Sequence, residues 1–395
     1  MDTISRNALR RWFSVGRSLE DDAATAGRAA TRDALAGARP DAKLLIVFAS
    51  NTYDLPVLLS AIAEVSGDAP MIGCTTAGEI ATEGPAIDSV VVAAFGGAGF
   101  RVKTTRVVGA GTELRKAGHT AAGTVAAGSD PSANRVLMLL SDGMVRNQDE
   151  VVRGAYSAVG ATIPLVGGGA GDDWRLKVTH QFHDGQVITD AVVAALLESD
   201  GPIGIGVRHG WTRVGEPMLV TAADGDRVYT LDDRPAVDAY LRLVDVPEEA
   251  RKDGDAFAHF AATHPLGISR RSGEEVRVMG RADFSDGSIE TWSHVPQGGM
   301  AWLMEGDVDS ALQATVDACG DAMVDLAGQP AIGALAFDCM GRRSVLNEDG
   351  MAKEVATMAT DIGAPVAGFY TYGEIARLKG PYGYHNQTLV MLAFG

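Results

Sequence analysis

The sequence predicts an α/β (α+β) fold of two domains, built from repeated helix-strand-helix-strand-strand units around mixed, layered β-sheets. Three observations carry this. A plan of amphipathic helix, apolar strand, polar loop, second helix, Gly-rich turn and final strand recurs three times along the 395 residues. The strands are continuous apolar runs, as in Leu44-Leu45-Ile46-Val47-Phe48, which suits burial on both faces. In the first and third copies the turn keeps a Gly-x4-Gly-Glu spacing.

In the first copy a helix beginning at Ser18, with Asp21 as the partner of a capping box, precedes the strand Leu44–Phe48. A second helix aligns Leu55, Leu58, Leu59 and Ile62, and Met71 to Glu79 forms the turn before Val90–Phe95. The second copy has a helix over Glu113–Ala127, a strand over Val136–Leu140 and a helix burying Val151, Val152, Ala155 and Val159. Its turn is Leu165 to Asp172, one residue shorter and with aspartate in place of glutamate, and it closes on Ala191–Leu197. The third copy opens with a helix over Val308–Ala327, with Asp307 as N-cap and Gly328 as stop. The strand Ala331–Phe337 follows, then a helix burying Met351, Val355, Met358 and Ile362. Val366 to Glu374 make the turn and Thr388–Phe394 the last strand. Strand-helix-strand segments of this length imply right-handed parallel crossovers, and the early return of the last strand implies mixed sheets. Between Gly201 and Met304 short β-rich runs alternate with Asp-Gly turns at 224–225, 253–254 and 286–287. A border near Ser199-Asp200-Gly201-Pro202 divides an N-terminal domain over 12–200 from a C-terminal domain over 201–395.

A formal charge of −17 and an acidic pI disfavour nucleic acid and anionic membrane surfaces as partners. No run approaches the length of a bilayer span, and Met1 to Arg11 carries no apolar leader, so a cytoplasmic location is expected. Cys74, Cys319 and Cys339 are too few and too scattered for a disulfide framework or a cysteine zinc site.

Several separated motifs resemble the FIST family (F-box and intracellular signal transduction proteins). The N-terminal module is similar to Leu44–Ser50 and Ile72-Gly73-Cys74-Thr75-Thr76-Ala77-Gly78-Glu79-Ile80. The C-terminal module is similar to Val207–Trp211, Arg234-Pro235-Ala236, His264-Pro265-Leu266-Gly267, Phe337–Arg342, Gly368–Ile375 and Asn386–Leu389. The resemblance runs from about Trp12 to the end of the chain. It implies a sensory module for small ligands, amino acids among them, of a kind that accompanies histidine kinases or methyl-accepting receptors. Some members are similar to haem-binding nitric-oxide sensors. With no room here for a transmitter domain, the signal is expected to pass to a separate partner, a histidine kinase or another signalling protein.

The expected ligand site lies in the C-terminal domain. Cys339 and Arg342 follow a strand end, where α/β sheets place ligands. The guanidinium suits a carboxylate, the alternative being a pair with Glu348 or Glu374 and a packed thiol. Glu374 suits a ligand ammonium, with Tyr370, Thr371 and Tyr372 as walls; the alternative is a cap on backbone amides, which its repetition favours. His385 and Asn386 lie on a loop that closes the pocket, His385 being the first haem ligand to consider or else a surface histidine. Cys74, Thr75 and Thr76 read as turn chemistry, Cys319 as core, and the glycines at 167–171 as a weak phosphate-loop signal without its Lys-Ser/Thr. The leading expectation is a small-molecule sensor with no enzymatic activity. A haem sensor and a thiol enzyme with Cys339 as nucleophile and His385 as base are the alternatives.

Overall fold

The computed structural model describes residues 11–36, 41–270, 273–378 and 382–395, so all but one residue of the expected leaderless segment Met1–Arg11 lies outside them. Three copies of one unit are present. Each runs entering strand, helix, strand, helix, strand, two-stranded hairpin, closing strand. In the first these are Trp12–Ser18, Ala23–Ala34, Ala42–Ala49, Leu55–Ser66, Met71–Thr75, the hairpin Glu79–Ala81 with Gly84–Ala86, and Val90–Gly96. The helix Ala23–Ala34 is capped by Asp22, which accepts from Thr25 N. Ser18 closes the preceding strand instead, which corrects the expected capping box. The second unit runs from Phe100–Val108 to Ala191–Ser199. The third enters on Ile203–Arg208 and resumes at the helix Val308–Asp325, where Asp307 and Ser310 do form a capping box.

Each central strand pair is parallel, with Phe48 opposite Cys74, Leu140 opposite Gly168 and Phe337 opposite Phe369. The hairpins do not stay at home. Glu79–Ala81 pairs with the third unit's Val366–Thr371, and Gln181–His183 pairs with the first unit's Met71–Thr75. Glu374–Arg377 pairs with the second unit's Leu165–Gly169. Every unit thus lends its hairpin to the next around a closed ring, giving three six-stranded sheets related by a pseudo-threefold axis. The inner faces meet in one apolar core, where Phe48 stacks on Phe369 at 4.7 Å and Phe394 lies 5.0 Å from Phe95. The helices pair on the outside.

Between the entering strand of unit three and its first helix stands an eight-stranded antiparallel insert, from Thr212–Asp224 to Met300–Glu305. It has its own core around Tyr240, Phe257, Leu266 and Leu303. Arg146 ties it to unit two through Asp226 (3.3 Å) and Glu290 (2.7 Å).

Close helix pairing in unit two depends on glycine. A Cβ on Gly154 would overlap the carbonyl of Arg115 on the facing helix. Gly154→Ala is therefore expected to force these helices apart and to cost about 1–3 kcal/mol, measured as a lower denaturation midpoint.

Candidate functional site

The three turns between the central strands and the hairpins meet on the axis. Ala77 N donates to Tyr370 O (2.9 Å), Tyr372 N to Gly169 O (3.0 Å) and Gly171 N to Thr75 O (2.9 Å). A second set completes the ring, with Tyr370 N to Gly78 O, Gly169 N to Gly373 O and Thr75 N to His180 O at 2.8 to 2.9 Å. Gly78 and Gly373 take φ of 114° and 124° to make these turns, a region closed to other residues at low cost.

One carboxylate staples each of two turns to its closing strand. Glu79 accepts from Thr76 Oγ1, Ser89 N (3.1 Å) and Ser89 Oγ (2.7 Å). Glu374 accepts from Thr371 Oγ1 and Thr388 N (3.1 Å). In unit two the same place belongs to Gln181, whose Oε1 accepts from Ala191 N at 3.3 Å. Asp172, expected there from spacing, instead opens the excursion 172–180 and holds it by accepting from Leu176, Lys177 and Val178 N and from the Tyr372 hydroxyl (2.6 Å).

A narrow, mostly apolar cleft of about 50 Å³ lies where unit three, the insert and this excursion meet. Trp174 and Leu176 come from the excursion, and Ala262, Val278 and Trp292 from the insert. Unit three contributes Cys339 to Gly341, Thr371 to Gly373, Asn386 and Gln387. Asn386 and Gln387 are buried, yet Asn386 Oδ1 and Gln387 Oε1 have no hydrogen-bond donor. Their nitrogens are committed, Asn386 Nδ2 to His385 O (3.1 Å) and Gln387 Nε2 to Ala262 O (2.5 Å). Gln387 is held at a left-handed φ of 60°, and Trp211 Nε1 donates to its carbonyl at 3.1 Å. Cys339 stands at the start of the helix Met340–Ile362, and its N–H donates to Thr388 O at 3.1 Å. Burial and the Glu374 carboxylate push the thiol well above its ordinary range.

Of the eight expected site residues, Cys339, Thr371, Tyr372 and Asn386 line this cleft, and the other four do not. Arg342 is 1% exposed and its guanidinium is spent on Asp338 (2.8 Å) and Glu354 (2.5 Å), with Thr315 Oγ1, Ala311 O and His209 O as further acceptors. These partners replace both the ligand carboxylate and the expected Glu348 or Glu374. Burial and Glu354 raise the Asp338 carboxyl far above its ordinary value, against the pull of Arg342. Glu374 sits behind Cys339, buried, as the staple described above. Tyr370 is buried with its ring beneath a groove of about 580 Å³ lined by Arg17, Glu83, Arg343 and Glu348. His385 Nε2 lies 3.0 Å from Ala376 O, in a different groove lined by Arg208, His209, Glu274 and Asp317. Those charged walls and that committed nitrogen do not fit a haem, which needs an apolar slot. No hydrogen bond joins His385 to Cys339 among the described residues. The carboxylate beside the thiol is Glu374.

Fold and cleft together describe a three-unit α/β barrel with a narrow opening between barrel and insert. The chain matches the FIST N domain over residues 43–234 and the FIST C domain over 236–377, and it belongs to the FIST family, whose domains are sensory modules. It is 27% identical over 380 residues to an uncharacterized protein of Mycobacterium bovis, covering 92% of each chain. An uncharacterized protein of Mycobacterium tuberculosis is 26% identical over 393 residues, covering 97% of this chain and 99% of the relative. Solved structures similar over 98% of this chain include a chorismatase (98% of that chain, 11% identity, TM-score 0.37) and a cyanuric acid hydrolase (100% of that chain, 10% identity, TM-score 0.34). Both of those proteins are enzymes, so these likenesses stand against the expectation of no enzymatic activity without giving this chain one. At these scores they assign no reaction to it. No helix of the described residues is long and apolar enough to cross a membrane.

Two predictions follow from the buried charges. Arg342→Ala leaves two buried carboxyl groups without a counter-ion and is expected to cost about 3–5 kcal/mol, read by urea denaturation. The Glu79 carboxyl is pushed up to about 7 by burial, which outweighs its three donors. Unfolded, it titrates near 4.3. Its contribution is therefore complete below that value and is lost as pH rises through 7. Between about pH 5 and pH 9 the wild-type denaturation midpoint should fall further than that of Glu79→Gln, whose amide does not ionise.

Proposed function

We propose that this protein is a sensor whose signal molecule enters the cleft beside Cys339 with a small head group that donates N–H hydrogen bonds. The observation that carries this reading is the pair of buried, unanswered acceptors, Asn386 Oδ1 and Gln387 Oε1, set in apolar walls. A buried acceptor without a donor costs about 1–3 kcal/mol, and a ligand that supplies the donors recovers that energy. The cleft volume of about 50 Å³ admits a head group of a few heavy atoms. The remainder of the molecule lies against Trp174, whose side of the cleft is exposed. A primary amide or a ligand ammonium fits the acceptors, so amino acids stay within the class. Arg342, tied to Asp338 and Glu354, is not the group that meets their carboxylate.

Signal transfer follows from how the cleft is walled. Gln387 is bonded to Trp211 and Ala262 of the insert region, while Cys339 and Thr371 belong to the barrel. A ligand that bridges these walls changes how insert and barrel are held together, and a separate signalling protein such as a histidine kinase reads the difference.

The test is thermal denaturation of the chain with panels of small amides, ureas, amino acids and haem. A head group of the right kind at a hundredfold excess over its Kd should stabilise the fold by about 2.7 kcal/mol. Asn386→Leu should weaken that ligand by about tenfold. A panel in which nothing shifts the wild type, or a ligand to which Asn386→Leu is indifferent, contradicts the reading.

A further inference from the structure

The groove of about 580 Å³ above Tyr370 shares no lining residue with the cleft, and its volume suits a whole small molecule rather than a head group. It runs between the first unit's hairpin and the third unit's helix Met340–Ile362, where hairpin exchange joins two distant parts of the chain. Two arginines reach it half-buried. Arg17 donates Nη1 to Gly84 O at 3.0 Å, and Arg343 donates Nη1 to Ala77 O and Asp173 Oδ1, both at 2.6 Å. Neither Nε nor Nη2 of either residue makes a hydrogen bond among the described residues, and Arg17 has no carboxylate partner there. The two guanidinium groups flank one short strand, Gly84–Ala86. Arg17 holds Gly84, while a Cβ built on Gly78 would lie 3.2 Å from Ala86 O and 3.7 Å from Arg343 Nη1. Tyr370 floors the groove, 1% exposed, and its hydroxyl has no hydrogen-bond partner.

Acids stand at the rim and not beside these donors. Glu83 on the hairpin and Glu348 just past the kink at Asn347 are both exposed, and neither is in an ion pair among the described residues. Asn347 Oδ1 accepts from Gly350 N at 3.1 Å, so Glu348 falls in a first helical turn, where the helix dipole favours a carboxylate. The remaining walls are apolar, and two of them, Leu19 and Ile87, are exposed large side chains. A half-buried guanidinium edge without an acceptor matches a planar carboxylate, and exposed apolar walls match an apolar body. The rim acids repel a doubly charged ligand more than a singly charged one. We infer that this groove is a second binding site, for an organic monocarboxylate with an apolar body. Its carboxylate takes the free N–H edges of Arg17 and Arg343, and its body lies along Leu19 and Ile87 over Met351. The inference is independent of the reading of the cleft.

The experiment is calorimetric titration of the full chain with octanoate and hydrocinnamate, with the methyl ester of hydrocinnamate as the uncharged counterpart and phenyl phosphate as the dianion. The acids should bind, and the ester and the phosphate should bind at least tenfold more weakly. Arg17→Gln, which removes the positive charge at one end of the groove, should weaken the acids at least tenfold. Ala352 is exposed on the groove wall. Ala352→Glu should therefore weaken the acids and Ala352→Lys strengthen them, each by about threefold, opposite signs that a change in folding does not produce. No heat with either acid at about 1 mM, or an affinity unmoved by Arg17→Gln, overturns the site. Should Arg17→Gln fail to fold, the Ala352 pair decides, because two variants that shift the affinity in the same direction, or not at all, also overturn it. An ester that binds as tightly as the acid overturns the carboxylate, and a phosphate that does so overturns the single charge.

Discussion

The structure depends on the ring of backbone hydrogen bonds on the pseudo-threefold axis. Three turns from distant parts of the chain satisfy one another there, each donating to and accepting from both of the others. Such groups, buried with the core, cannot be left unpaired without heavy cost. The ring therefore dictates that each hairpin cross to a neighbouring sheet, and the crossing closes three sheets into one barrel. Unfolding one unit alone would strip an edge from another, so the three are expected to stand or fall together.

Symmetry sets the frame, and its breaking makes the site. The staple residue is glutamate twice and glutamine once, and each fulfils the same backbone amide on its closing strand. The strand-end position ahead of each crossover helix holds Ser50, Asp142 and Cys339 in turn, by the register of the parallel pairs. Only unit three places a thiol at that strand end. It is also the unit interrupted by the insert, which brings Trp211, Ala262, Val278 and Trp292 to that spot. The excursion 172–180 of unit two supplies the remaining wall. The cleft therefore arises where two departures from the repeat coincide. The buried Asp338, Arg342 and Glu354 lie beside it and hold the short helical segment ahead of the kink at Asn347 against the helix Val308–Asp325.

Much of this was legible in the residues. The apolar strand runs, the helix stripes and the Gly-x4-Gly-Glu turns reveal the repeat, because local pattern and burial agree there. The second turn misleads. Asp172 stands near the right spacing, but residues 172–180 intervene before Gln181 takes the staple position. Hairpin exchange leaves no local mark, since a strand pattern states that an edge must be paired and not by whom. Arg342 was a visible charge with an acid four residues before it, Asp338, on a strand that should be wholly apolar; that anomaly was the available sign of a buried pair. Glu374 and Cys339 were both singled out, yet what brings them to opposite sides of Thr388 is a crossover that only the parallel register of the two strands reveals. Gln387 was missed because nothing in its neighbourhood announces the left-handed backbone that turns its carbonyl to Trp211.

The central claim is that two buried amide oxygens wait for a donor in an opening between barrel and insert. A high-resolution crystal structure of the chain soaked with a small primary amide tests it most directly. The account predicts density within hydrogen-bonding distance of both Asn386 Oδ1 and Gln387 Oε1, with Trp292 and Tyr372 apart on either side. A structure in which those aromatic rings close on one another, and both oxygens accept from neighbouring protein N–H groups, would contradict it.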